Sequence, residues 1–316
     1  MNLSKRQEAE LVTAIQGRGE IPLKFAYLGE GATHWDSIAR ERSGTTGGIN
    51  SAEAILLQKR LDDFLSTINL AQGVNIIDIG CGNGEPILPV LEKLQSSGIM
   101  FTYVPMDISK EMLDLAYQTV SKKIPTITIK PVVIDFELGQ FSEITADLKK
   151  NGSVNLMFFL GSTLGNHSDL NRVLTNFRDS MTSKDYLIVG VELTNLAKVQ
   201  KIVPHYETKA VGDLVTFLLD FLKVPKTSYS YEALWNDKYY QIEMRASFKA
   251  DANINIDGEN FVLQKGENIL LARSIKFTEY TVTRLFSDVG FRTELLTTAE
   301  DRGYLLTMIQ PTRYSV

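Results

Sequence analysis

Apolar and polar positions along the 316-residue chain change rhythm three times. Residues 5–17 and the stretch after Asn50 carry helical spacing. In the second stretch Ile55, Leu56, Leu61 and Leu65 fit one face, with Asn50 or Ser51 as the predicted N-cap. Between them the segment 24–50 is rich in glycine, and its end reads as a loop. From Val74 the rhythm becomes short apolar runs alternating with helical stretches. The runs 75–80, 102–107, 128–135, 154–161 and 186–193 read as buried strands of a parallel sheet, and 86–95, 109–120 and 169–181 as helices. Pro86 is expected in the first helical turn, where a missing N–H costs nothing. Such alternation predicts a doubly wound α/β fold.

After Leu193 the pattern changes again. Residues 198–223 look helical, and 239–250, 259–264 and 268–277 show the two-residue period of antiparallel strands. A helix over 279–288 precedes strands at 291–298 and 303–310, which are expected to return to the first sheet. The predicted organisation is therefore a main domain of residues 54–195 plus 277–316, and a smaller α+β lobe of residues 1–53 plus 196–276.

Composition narrows the class. Hydrophobic residues make up 44% and charged residues 22%, so a sizeable core is available. The net charge is −5 with no run of lysine and arginine, which gives no reason to expect a nucleic-acid partner. No apolar stretch reaches membrane-spanning length, and the N-terminus lacks the apolar core of a secretory signal. Cys81 is the only cysteine, so no internal disulfide forms and a cysteine-based zinc site is not expected. His34, His167 and His205 lack metal-ligand spacing; of the three, His167 is the strongest candidate for chemistry because it follows Asn166. A cytoplasmic enzyme with a small-molecule substrate, no membrane or nucleic-acid partner, no metal and a monomeric state is the resulting expectation.

The sharpest local signal is Asp78-Ile79-Gly80-Cys81-Gly82-Asn83-Gly84, between a predicted strand and a predicted helix. Glycines at 80, 82 and 84 let the backbone turn tightly and admit a ligand without a Cβ in the way. The next strand ends at Asp107, whose carboxylate is suited to both hydroxyls of a ribose, and the third ends at Asp135-Phe136, suited to the amino group and face of an adenine. Three strand ends thus point to a nucleoside-type ligand. A dinucleotide fingerprint would place its last small residue at Glu85, where an anion repels a pyrophosphate. S-adenosylmethionine (SAM) carries no phosphate, and the turn resembles the first motif of class I SAM-dependent methyltransferases; a nicotinamide cofactor is the weaker alternative.

The fourth strand runs into Gly161-Ser162-Thr163-Leu164-Gly165-Asn166, a glycine- and hydroxyl-rich end that reads as a site. From here the chain resembles the histidine-specific methyltransferase-like family, which includes histidine Nα-methyltransferases and fungal N-methyltransferases of prenylated tryptophan. The carriers are YVPMDIS at 103–109, FFLGSTLGN at 158–166, IEM at 242–244, KGENILLARSIKF at 265–277 and GYLLTMIQ at 303–310. The resemblance implies a Rossmann-like class I SAM-methyltransferase sheet with a second lobe, and N-methylation of a small amino acid or amino-acid-derived metabolite. It implies that Gly80, Asp107, Asp135 and Phe136 bind SAM, with Gly82 and Gly84 completing the turn. It implies that Asn166, with Gly161 beside it, holds the acceptor's amino group. Tyr206 would meet its carboxylate, Tyr27 would border the reaction centre, and Met244 and Ser274 would line the side-chain pocket. Two departures stand out. Ala272 replaces the acid that grips an imidazole in the histidine enzyme, and TTGGIN at 45–50 replaces a tyrosine-bearing segment. Losing a buried hydrogen-bonding partner costs about 1–3 kcal/mol, enough to move the specificity. Another small-molecule amine or a hydroxyl as acceptor, or SAM binding without catalysis, are the alternatives.

Overall fold

The structure is a computed structural model and describes residues 3–43, 49–150, 152–194 and 199–313, with the side chains of 41–43, 49–51 and 200 left aside. In chain order it runs α1 (Lys5–Arg18), α2 (Gly31–Ser43), α3 (Ile49–Ser66), β1 (Val74–Ile79), α4 (Leu88–Ser96), β2 (Phe101–Asp107), α5 (Lys110–Lys123), β3 (Thr128–Ile129), β4 (Val132–Val133), α6 (Ser142–Leu148), β5 (Val154–Phe159), α7 (Leu170–Asp179), β6 (Tyr186–Glu192), α8 (Val199–Ile202), α9 (Lys209–Phe221), β7 (Tyr229–Asn236), β8 (Gln241–Phe248), β9 (Ala252–Ile256), β10 (Glu259–Leu263), β11 (Asn268–Ile275), α10 (Glu279–Asp288), β12 (Phe291–Thr298) and β13 (Tyr304–Pro311).

The chain divides into two compact units, Met1–Arg40 with Asn195–Lys276, and Glu41–Thr194 with Phe277–Val316. The second is built on an eight-stranded sheet. Its order is β12-β13-β6-β5-β1-β2-β3, with β4 also pairing with β2. β1, β2, β3, β4, β5 and β6 run parallel; β13 is antiparallel to β6 and to β12. Every residue of β1 is buried, as an apolar run covered on both faces requires. Because β1 lies between β2 and β5, the strand order reverses beside it, and the crevice at its carboxyl end is where ligands of such sheets bind. The core beneath includes Leu57, Phe64, Ile76, Leu91, Tyr103 and Leu306.

In the other unit β8 is the centre of a three-stranded antiparallel sheet ordered β11-β8-β7, and β9 pairs with β10 as a separate hairpin. Ile242, Met244, Ala246 and Phe248 alternate along β8 and join a core with Leu11, Phe25, Leu218 and Leu271. α1 opens with a capping box at Ser4 and closes at Gly19, whose φ of 61° permits the left-handed turn. The chain leaves the large sheet and returns to it at one place: Thr194 donates its amide to the Phe277 carbonyl, beside a bridge between Leu193 and Phe277.

Several local expectations change. Ile55 is 53% exposed, whereas Leu56, Leu61 and Leu65 are buried as expected and are joined by Leu57 and Phe64. The Asn50 and Ser51 caps, and residues 45–48 of the TTGGIN segment, lie outside the described residues. α4 begins at Leu88, so Pro89 rather than Pro86 sits in its first turn. The single strand expected at 128–135 is two short ones, broken at Lys130-Pro131 where proline offers no N–H to the ladder. The helix expected over 198–223 is interrupted by a 3-10 turn at Val203–Tyr206 containing Pro204. Among the described residues no helix is long and apolar enough to cross a membrane.

Candidate active site

The turn after β1 takes its shape from three glycines in the left-handed region, Gly80 (φ 65°), Gly82 (φ 52°) and Gly84 (φ 74°). They do different work. A Cβ on Gly84 would stand 3.1 Å from the Ala116 Cα, so this residue lets α5 approach. A Cβ on Gly80 would project toward Thr163 and the Phe136 ring, at 3.8–4.0 Å, into the space a ligand would use. The Gly80 amide is anchored to the Met106 carbonyl at 2.8 Å, which ties the turn to β2.

Asp107, at the end of β2, is buried and accepts a hydrogen bond from the Ser109 amide at 3.0 Å. Burial pushes its carboxyl up to about 6, against the nearby backbone amides that favour its charged form. Asp78 is also buried and accepts from the Tyr103 hydroxyl at 2.9 Å; burial, helped by the charges of Asp107 and Glu53, raises it to about 7. Glu53 on α3 is a third buried acid, raised by burial to about 7 although Tyr304 and the Gly161 amide both donate to it. Carboxyls crowded at one set of strand ends favour a cation, and the sulfonium and ammonium of SAM supply positive charge. A glycine turn open at Gly80, a buried carboxylate at Asp107 and an acidic surround therefore fit that cofactor. Cys81 between the glycines is buried, and burial pushes its thiol well up, so it remains an inert filler.

Asp135 and Phe136 lie just beyond β4. The Asp135 carboxylate accepts the Glu137 amide at 3.1 Å, and the Asn176 side chain fixes this turn by donating to the carbonyls of Phe136 and Glu137. The Phe136 ring packs edge-on against Phe159 and His167. His167 itself stacks on Phe159, with Nδ1 2.5 Å from Glu137, so the histidine singled out in the sequence is an aromatic packing element. No group of residues suited to a metal ion occurs among the described residues.

The loop after β5 carries Gly161 (φ 70°) and Ser162 (φ 59°), and then the 3-10 turn Thr163–Asn166. A serine in the left-handed region is strained by about 1 kcal/mol or more. Its Oγ offsets this by accepting the Glu192 amide at 2.7 Å. Asn166 is half-buried, and among the described residues its side-chain amide is committed to no hydrogen bond.

In the other unit Tyr206 and Ser274 meet directly, hydroxyl to hydroxyl at 3.1 Å, and Lys276 Nζ donates to both, at 2.8 and 3.0 Å. Met244 pairs across strands with Ala272, and both are buried with Ser274. Tyr27 ends the 3-10 turn Leu23–Tyr27 and packs, half-buried, against the core that contains Tyr206 and Met244. The sequence reading had not singled out Glu53, Asp78 or Lys276 as site members. Asp78 sat inside the recognised motif and Lys276 inside a family segment, whereas nothing around Glu53 marks it.

This fold and this strand-end site define a class I SAM-dependent methyltransferase, an α/β enzyme on a Rossmann-like sheet. The family model described as "Histidine-specific methyltransferase, SAM-dependent" matches residues 7–311, and the chain belongs to that family. Among its relatives is the histidine N-alpha-methyltransferase of Mycolicibacterium smegmatis, 24% identical over 86% of this chain and 84% of that one. The enzyme of the same name from Mycobacterium tuberculosis is 25% identical, covering 83% and 81%. The 4-dimethylallyltryptophan N-methyltransferase of Claviceps fusiformis is 23% identical, covering 89% and 84%.

Proposed function

We propose that this enzyme methylates the amino nitrogen of a free amino acid or a close derivative whose side chain is not histidine's. The observation that carries the reading is the uncommitted amide of Asn166, half-buried on the loop that follows β5. Relatives named for histidine and for 4-dimethylallyltryptophan share the amino-acid backbone and differ in the side chain. Here Ala272 is buried in place of an acid, which leaves an imidazole without its partner and favours a less polar side chain.

When bound, SAM supplies an electrophilic methyl group. The proposed roles of the chain's own residues follow. Gly80, Gly82 and Gly84 shape the cradle, Asp107 takes the ribose, and Asp135 and Phe136 the adenine. Asn166 and Gly161 orient the acceptor's amino group, Tyr206 its carboxylate, and Met244 and Ser274 its side chain; Tyr27 borders the reacting nitrogen. An α-amino group ionises near 8, so a neutral fraction exists at neutral pH without a strong base, and the protein's task is mainly orientation. We further propose a cytoplasmic, monomeric enzyme, since both reactants are small diffusible metabolites and the one cysteine is a free buried thiol.

Turnover of labelled SAM against a panel of amino acids tests the reading; no transfer to any α-amino group would sink it. Asn166→Ala is expected to raise the acceptor KM about tenfold to 100-fold, the loss of one or two hydrogen bonds. Calorimetry should find SAM affinity nearly unchanged, and equal losses in both quantities would remove Asn166 from the acceptor's side.

A further inference from the structure

We propose that Glu53, on a helix remote in sequence from the strand-end loops, is the positioning residue that fixes the backbone of the acceptor loop at Gly161-Ser162. The inference rests on the reading that this loop serves the acceptor. Glu53 Oε2 accepts the Gly161 amide at 2.8 Å and the hydroxyl of Tyr304. The Gly161 amide is therefore held by the carboxylate, and the phenol braces that same carboxylate oxygen.

The slot for this pair exists only because residue 190 is glycine. A Cβ there would lie within 2.3 Å of Glu53 Oε2 and 2.5 Å of the Tyr304 hydroxyl. Three elements thus converge under the loop: α3 with the carboxylate, β13 with the phenol and β6 with the bare backbone. The loop needs them, because Gly161 and Ser162 are both left-handed, and such backbone persists only where its surroundings over-determine it. Glu53 is 2% exposed, and a charge so deeply buried is costly unless its bonds repay it. Only four residues further along the same loop stands Asn166, so a shift of Gly161 is passed directly to the amide that orients the nucleophile.

The test uses the full-length enzyme with SAM and three variants, Glu53→Ala, Glu53→Gln and Tyr304→Phe, each checked for folding by thermal melting. Glu53→Ala is expected to lower kcat for the acceptor by about 100-fold, the scale of an ångström's misplacement, with a much smaller change in SAM affinity. Amide hydrogen exchange at Gly161 should accelerate in the cofactor-bound variant. Glu53→Gln retains an acceptor oxygen and should recover much of the rate together with slow Gly161 exchange; it is the exchange readout that separates a hydrogen bond from space filling. Tyr304→Phe removes the hydroxyl that braces the carboxylate, so it should speed exchange at Gly161 less than Glu53→Ala does, and lower kcat less. A folded Glu53→Ala enzyme with unchanged Gly161 exchange overturns the proposal, as does one that loses SAM binding and turnover equally. Should that variant not fold, Tyr304→Phe with unchanged exchange and kcat overturns it. Failure of the amino-acid reading looks different: the wild type then transfers no methyl to amino acids, while the exchange measurements still judge Glu53.

Discussion

Asp107→Ala is expected to weaken SAM binding about 10- to 100-fold, the largest loss of any single cofactor contact. The carboxylate is buried and takes the Ser109 amide on the protein side. Hydrogen bonds to a charged group contribute about 1.5–3 kcal/mol each, and the ribose would supply further ones. Removing the carboxylate also leaves the buried Ser109 amide at the start of α5 unpaired, so the two losses add in the same direction. Calorimetry with SAM measures the effect. The acceptor KM at saturating SAM should stay near the wild-type value, the opposite of Asn166→Ala. An Asp107→Ala enzyme that binds SAM normally would take the ribose role away from this residue.

The ligand-free protein should be more resistant to denaturant at pH 5.5 than at pH 8. Glu53, Asp78 and Asp107 are raised by burial to about 7, about 7 and about 6. Carboxyls in the unfolded chain ionise near 4. Between these limits the folded state holds more protons than the unfolded one, so stability declines as pH climbs from about 4 to 7 and levels off above. A single carboxyl shifted this far corresponds to about 3 kcal/mol. Glu243 in the other unit runs the opposite way. Burial pushes it up, but hydrogen bonds from Gln241, Arg245 and Asn236 outweigh this and hold it below its ordinary value. Its contribution is lost only at pH below the usual carboxylate range, so it does not cancel the effect. Urea unfolding across this range checks the sign, and a midpoint that rises toward pH 8 contradicts it. A bound cationic cofactor should flatten the slope by compensating the ionised acids.

The central strands and their ligand-bearing ends were legible because each is a local pattern: an apolar run, then a glycine or an acid, as at Gly80 and Asp107. The return of two strands after the insertion was legible for the same reason. What escaped was structure whose cause lies elsewhere. β7 is a sheet-edge strand with mostly half-buried residues, so it lacks a clean alternation. β9 does alternate, but through asparagines, which strands generally avoid. α6 is short and buries only Thr145. Ile55 had the spacing of a core residue, yet the helix turns a neighbouring face inward. Glu53 was invisible because its meaning is a bond to an amide 108 residues away. Among the residues proposed to meet the acceptor, the direct contact of Tyr206 with Ser274 depends on bringing a 3-10 turn against β11, which no periodicity announces.

The single hydrogen-bonded doorway formed by Thr194 and Phe277 has a consequence for how this architecture can vary. Strand β6 ends and helix α10 begins around one point, so the eighty-odd residues spliced between them can lengthen, shorten or be rebuilt without altering the register of a single sheet strand. Under the proposed roles of Tyr206, Met244 and Ser274, rewriting that one cassette would change the groups offered to the acceptor's carboxylate and side chain while the large sheet stays fixed.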